Sequence, residues 1–276
     1  MEYKIKSNIF ITFGSRFIRT QCMMNRHLNA VIFALAVLAA VTSSDAAAAR
    51  FVDFSPARKI IEVDVHAIAG AAAVKQNYEA CFPQIRELNV NSGYSLGAGA
   101  RAVFGLREYL GFGTALDIMT GSYNIDMAVI GADHKSMSAV YIDNTTYSFN
   151  IPLFVSFRFN VAHSVRWNVD AGAYYAFGFS GTQHQRIYRA DINGIGELVP
   201  GVVNISTDYY HSRDTFINGF NRGDIGLHMA TSLNFGPHLT VGAQFQYGLK
   251  NAARRNGIIN PSLHNYNFNA TVGYRF

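Results

Sequence analysis

The last twelve residues constrain this chain more than any other stretch. Tyr266, Phe268, Ala270, Val272, Tyr274 and Phe276 are apolar, while Asn265, Asn267, Asn269, Thr271, Gly273 and Arg275 between them are polar or Gly. Side chains on a strand alternate between two faces, so this pattern makes a strand with one greasy and one wet side. Aromatics at both ends of the greasy row match the two girdles of a transmembrane β-barrel, the chain stopping at the membrane border.

The N-terminal region carries the marks of export. Ala30 to Val41 is an apolar run, preceded by Arg26 and His27 and followed by TSSDAAAA. A basic flank, a short apolar core and an Ala-x-Ala exit specify a signal peptide over residues 24–49, cleaved after Ala49. The run is far below the roughly 20 apolar residues of a membrane-spanning helix. Met23 and Met24 make residues 1–23 an over-extended start. A periplasmic stub over 50–58 then leads into a barrel over 59–276.

Removing the leader takes five basic and two acidic residues from the 23 and 18 of the whole chain, leaving 18 against 16. A mature net charge of +2 gives no case for nucleic acid. Of the two cysteines, Cys22 falls in the leader, so Cys81 is left without an internal disulfide partner.

Alternating segments fill the mature chain. They centre on Ile61–Ala71, Tyr94–Phe104, Leu110–Ile118, Phe149–Phe159, Val165–Phe179, Ile225–Phe235, Leu239–Leu249 and the C-terminal strand. The fold class is therefore all-β: a transmembrane antiparallel up-and-down β-barrel of about eight strands, expected to be a monomer. Connections near Leu106, at Asn160–Ser164 and at Gly236-Pro237 are short. Those over Gln76–Asn91, Asn124–Thr146, Gly181–Phe220 and Asn251–His264 are long. Short periplasmic turns alternating with long external loops are a property of outer-membrane barrels, and a soluble sandwich has no reason to sort its loops so. The implied surroundings are bacterial outer-membrane lipid, and the implied partner in biogenesis is the barrel-assembly machinery.

The inward faces collect Glu62, Asp64, His66, Arg101, Asp117, Arg158, Arg166, Asp170, Asp224, His228, Lys250 and Arg275. Arg or Lys on the lipid face would cost about 2–4 kcal/mol each at the bilayer midplane, which forces these groups inward. In a barrel this small, balanced charges make a packed polar plug rather than a selective pore lining. Glu62, Asp64 and His66 share a face, but i and i+2 neighbours lie roughly 6.6 Å apart, too far to converge on one ion without help such as His228. No metal or cofactor is expected. His163-Ser164 and His211-Ser212 lack an assigned carboxylate, and adjacent Ser and His rarely make a catalytic constellation, so no enzyme activity is expected. The external segment Gly181–Phe220 offers Arg186, Tyr188, Arg189, Tyr209, Tyr210 and Arg213 as a recognition surface, against the plainer reading of a solvated loop or of strands extended beyond the membrane. A lipid-modifying enzyme and a narrow channel are the alternatives of a different class.

Tyr147-Ser-Phe-Asn-Ile151-Pro152-Leu153 with Phe157, Asp170-Ala-Gly172-Ala-Tyr174, Asp224-Ile-Gly226-Leu227, Tyr247-Gly248-Leu249 and the ending Gly273-Tyr274-Arg275-Phe276 occur in this order. Together they resemble the strand signatures of the PorT-like outer-membrane β-barrel family, with Arg158 standing near the family's usual Lys. The resemblance covers most of Lys59 to Phe276 and implies fold and location better than activity. One branch of that family assists protein secretion, which makes a secretion accessory a further alternative.

Tyr266, Phe268, Val272, Tyr274 and Phe276 form the expected C-terminal insertion signal. Deleting Phe276 should leave the chain periplasmic or degraded and abolish the heat-dependent gel shift of a closed barrel. Normal amounts of heat-modifiable truncated protein in membrane fractions would refute that role.

Overall fold

The structure, a computed structural model, describes residues 51–131, 136–192, 197–211, 219–255 and 259–276. The expected leader and Arg213 lie outside these residues. The chain divides into two compact units. One comprises Arg50–Asn160 with Ser164–Phe276 and is the barrel; of the other, Met1–Ala49 with Val161–His163, only the tripeptide is described.

The elements run β1 (Ile61–Gln76), α1 (Tyr78–Cys81), β2 (Ile85–Arg107), β3 (Leu110–Ile130), β4 (Ser136–Ala162), β5 (Val165–Ile192), β6 (Leu198–Asp208), β7 (Gly223–Phe235), β8 (Leu239–Gly248) and β9 (Leu263–Arg275). Every pairing whose register is defined is antiparallel. Eight strands pair in a cycle, β1 to β5 and then β7 to β9, closed by β1–β9 and β4–β5; the ninth, β6, pairs with β5 alone. The closing register sets Asp64 opposite Arg275 and Ala67 opposite Val272. The Phe276 amide donates to the Val63 carbonyl at 3.0 Å, pinning the last residue to the first strand. With no open edge in the ring, its backbone groups are satisfied inside hydrocarbon.

The alternation seen in sequence is the inside–outside alternation of this ring. Phe112, Leu116 and Ile118 on β3, Phe149, Ile151 and Leu153 on β4, and Ile225, Leu227 and Met229 on β7 are exposed on its outer surface. At the short-turn end Phe159 meets Trp167 at 5.4 Å and Tyr274 meets Phe276 at 5.3 Å; at the other end Phe149 meets Phe179 at 4.8 Å. These contacts stitch the two aromatic girdles together.

Three of the four segments expected as long loops hold long stretches of strand, whereas the described residues of 251–262 stay outside the strands. The four strands β2 to β5 hold 23, 21, 27 and 28 residues, whereas a tilted crossing takes about ten. The excess continues past the membrane border as a ribbon, and there the two faces exchange polarity. On β3 the inward Asp117 gives way to Met119, Tyr123, Ile125 and Met127, all buried, while outward Leu116 and Ile118 give way to Asn124 and Asp126. On β4 inward Val140 and Ile142 are buried, and outward Asp143 lies beyond Tyr147 and Phe149. The reason is the solvent: within lipid the greasy side faces out, in water it must face in.

The inverted part has its own core. Val74, Tyr78, Phe82, Ile85, Tyr123, Ile125, Met127, Val140, Ile142, Tyr209, Tyr210, Phe220, Ala252, Ala253 and Leu263 pack together over the external end of the lumen. Sequence reading missed it because three irregularities break the alternation. Register shifts fall at Ile85/Glu87 and Ser92/Ser95 on β2. On β5 Phe179 and Ser180 are both exposed, so the inward face passes from Tyr174 and Gly178 to Gly181, Gln183 and Gln185. One extra residue moves every later side chain to the other face.

Ring closure between β4 and β5 depends on Gly172. A Cβ there would lie 2.0 Å from the Leu153 carbonyl oxygen and 2.6 Å from Phe154 Cα. Gly172→Val should lose the heat-dependent gel shift, whereas Ala171→Val, one residue away on the exposed lipid-facing row, should keep it. Equal heat modifiability of the two variants would contradict this account of closure.

Candidate functional site: the lumen and its external cap

The lumen is filled in tiers. Nearest the short turns, Glu62 accepts from Arg158 at 3.2 Å and from Arg166 at 3.1 Å, with Arg275 3.7 Å away. Arg166 also reaches Glu108 at 3.4 Å. These groups come from β1, β4, β5, β9 and the β2–β3 turn, so the cluster ties distant strands across the barrel. Glu108 was missed in sequence because it occupies a turn, where alternation assigns no direction.

In the next tier His66 sits between two carboxylates, Nδ1 3.3 Å from Asp64 and Nε2 3.1 Å from Asp117. Arg101 joins Asp170 at 3.2 Å and approaches Asp64 at 3.8 Å, its guanidinium 5.3 Å from the Phe154 ring centroid. Here the low dielectric strengthens each pair but makes a lost partner expensive. Glu62 is engaged elsewhere, so Glu62, Asp64 and His66 do not converge on one point. Among the described residues no group of three or more His, Cys, Asp or Glu side chains is arranged to hold a metal.

An amide tier follows. Gln246 accepts from Asn150 at 2.8 Å and from Asn267 at 3.1 Å, and its own amide nitrogen lies 3.1 Å from His228 Nδ1. Above it Asp224 Oδ2 accepts from Tyr174 Oη and Asn265 Nδ2, both at 3.1 Å. Tyr174 occupies an inward position on β5, a signal available in the alternation. Lys250 is placed differently from the sequence expectation: it lies beyond the end of β8 and is exposed, outside the lumenal network.

The candidate recognition residues separate. Arg186 and Tyr188 lie on the outward face of the β5 extension, Arg186 joined to Asp143 at 3.1 Å and Tyr188 edge-on to Tyr141 at 5.8 Å. Arg189 is exposed on the same strand. Tyr209 and Tyr210 are buried and belong to the cap, contrary to a surface role. Tyr209 stacks on Phe220 with centroids 4.1 Å apart and shares a 2.8 Å hydroxyl contact with Tyr123; aromatic area is worth more in this external core than in water. Burial lifts the Tyr210 hydroxyl to about 12, although Arg222 over its ring pulls the other way. His163 and Ser164 sit exposed at the β4–β5 turn, and His211 pairs with Asp208 at 3.1 Å on the surface.

A family model described as an outer membrane protein beta-barrel domain matches residues 61–254. Among solved structures the chain is similar to Ail of Yersinia pestis in complex with the heparin analogue sucrose octasulfate, at 11% identity over 79% of this chain and 100% of that one, TM-score 0.33. It is similar to OprG of Pseudomonas aeruginosa at 10% identity over 77% and 95%, TM-score 0.39. It is also similar to the outer membrane protease OmpT of Escherichia coli at 11% identity over 78% and 96%, TM-score 0.40. No curated protein matches the sequence.

Glu62 holds the basic tier together, and its removal would leave three buried or half-buried guanidinium groups without their common partner. Glu62→Ala should destabilise the folded barrel by about 3–5 kcal/mol in urea titrations of detergent-solubilised protein. A loss below about 1 kcal/mol, the range of an exposed pair, would contradict a tightly held plug.

Proposed function

The chain belongs to the outer membrane protein beta-barrel domain family and is a multi-pass β-barrel of the bacterial outer membrane; from that premise we propose that it is a closed, non-porin barrel that presents a recognition surface to the outside. The observation that carries this reading is the β5–β6 ribbon. Thr182 to Ile192 pairs with Leu198 to Asp208 beyond the ring, and nearly every residue of β6 is exposed. Arg186, Tyr188 and Arg189 lie on one strand of it, and Leu198, Val202, Val203 and Ile205 on the other. A rigid scaffold carrying an exposed two-stranded projection with Arg, Tyr and apolar residues has the chemistry of a binding hot spot.

The tiered lumen supports the non-porin half of the reading. Its side chains cross the barrel from several strands, and the external end is covered by an apolar core. Planar-bilayer recordings of purified protein should show no stable large conductance; reproducible porin-like steps would overturn it. The role is structural and recognitional rather than catalytic, and the ordered strand motifs favour placement near the PorT-like barrels.

Thr182 and Asp208 are direct partners across the ribbon, so residues 183–207 can be replaced by a short turn with the ring retained. Cells displaying equal amounts of heat-modifiable barrel should lose, on this replacement, the binding that wild-type cells show to arrayed extracellular polysaccharides and peptides. An unchanged array profile would overturn recognition by the ribbon. Protease applied to intact cells should cut within Gly181–Phe220 and spare Asn160–Ser164; the opposite pattern would invert the orientation.

A further inference from the structure

Between the amide tier and the tyrosine cap lies a chamber of about 120 Å³. Its floor is the Asn150–Gln246–Asn267 amide cluster. Its roof includes Tyr123 and Tyr209, joined through their hydroxyls. Small residues keep it open: at Gly121 a Cβ would already come within 3.3 Å of the Ala72 Cβ across the wall. A cavity needs only roughly 10–15 Å³ on this measure to hold one water, so this one has room for a molecule of several heavy atoms.

The chamber is lined by one carboxylate, Asp224, and one basic residue, Arg222. Asp224 lines it, is 8% exposed, and has Oδ1 without a hydrogen-bond partner, both of its side-chain donors binding Oδ2. The lumenal carboxylates Glu62, Glu108, Asp64, Asp117 and Asp170 each have an Arg or His within ion-pair distance, whereas among the described residues no Lys, Arg or His ion-pairs with Asp224. Arg222 is held on the wall away from that carboxylate, donating to the Gly178 and Phe179 carbonyls at 3.1 and 3.0 Å with its guanidinium 4.7 Å from the Tyr210 ring centroid. A second buried acceptor, Asn150 Oδ1, is also without a partner at the chamber floor. Unmatched buried acceptors call for a donor, and a buried carboxylate calls for a positive one. The tyrosine rings around it add favourable surfaces for a cation.

We propose that this chamber is a binding site for a small organic ammonium ion, whose N–H donors meet Asp224 Oδ1 and whose short carbon chain lies against the tyrosine-lined wall. The amide floor and the aromatic roof then border the pair, and the ion-pair partner that Asp224 lacks is supplied by the ligand.

The test uses the purified barrel in detergent micelles with propylammonium chloride as probe, propan-1-ol as the neutral counterpart and sodium chloride as the ionic-strength control. Titration calorimetry and saturation-transfer NMR should show saturable binding of propylammonium alone. Asp224→Asn keeps an oxygen to accept from Tyr174 and Asn265, and should weaken binding by at least about tenfold, the loss of one charge-assisted hydrogen bond. Ala176→Leu, on the chamber wall away from the carboxylate, should weaken binding by occupying the space. Both variants are read only as heat-modifiable protein, and either one suffices. The assignment is overturned if propylammonium shows no saturable binding to the wild-type barrel, if propan-1-ol binds equally well, or if a folded Asp224→Asn or Ala176→Leu variant binds as the wild type does.

Discussion

A backbone amide left unpaired in hydrocarbon costs several kcal/mol, and the whole molecule is arranged around avoiding that cost. The eight-membered cycle of strands leaves no edge in the membrane, and it closes through β1–β9 and β4–β5. Where β4 approaches β5, Gly172 admits the neighbouring backbone. Outside the membrane the demand relaxes, because water can satisfy an exposed edge. It is there, and only there among the described residues, that the sheet carries a strand outside the cycle, β6.

Closure has a consequence for the interior. A ring of this size encloses a space that side chains can fill, and the alternation that puts apolar residues against lipid delivers polar ones to that space. The fold answers the desolvation penalty with partners recruited from distant strands: Glu62 with three arginines, His66 between two aspartates, Gln246 among amides. Ion pairs of this kind contribute little net stability over an apolar core, but losing one member is expensive. They therefore tie distant strands together in register across the lumen. Asp224 departs from the rule, and a chamber beside it remains unfilled.

Past the membrane border the same strands run into water with their faces exchanged. Ile125 and Ile142 are wholly buried there, on the side of the sheet that carries Asp117 and Asn150 lower down. The exchange unites two kinds of β structure in one set of strands, a lipid-solvated barrel below and a conventional apolar core above. That upper core, through Tyr209, Tyr210 and Ile187, packs at the base of the β5–β6 ribbon, the projection proposed as a recognition surface.

The sequence by itself determined the class, the ring of eight, and the orientation of most lumenal groups. A two-residue period over ten or so residues survives as long as the strand stays regular and faces lipid on one side. From it Glu62, Asp64, Arg101, Asp117, Asp170 and Asn150 could be placed inward, and Phe268, Val272 and Tyr274 outward. Only the tertiary structure decided which charges meet, because partners such as Glu62 and Arg166 lie 104 positions apart and their meeting depends on closure. It also decided that Tyr209 and Tyr210 are core rather than surface, that Lys250 stands clear of the lumen, and that much of the supposed loops Gln76–Asn91, Asn124–Thr146 and Gly181–Phe220 is strand. The physical reason is common to all three. Beyond the membrane border the solvent outside the barrel changes from lipid to water and register shifts move side chains from one face to the other, so the same residue pattern no longer has the same meaning.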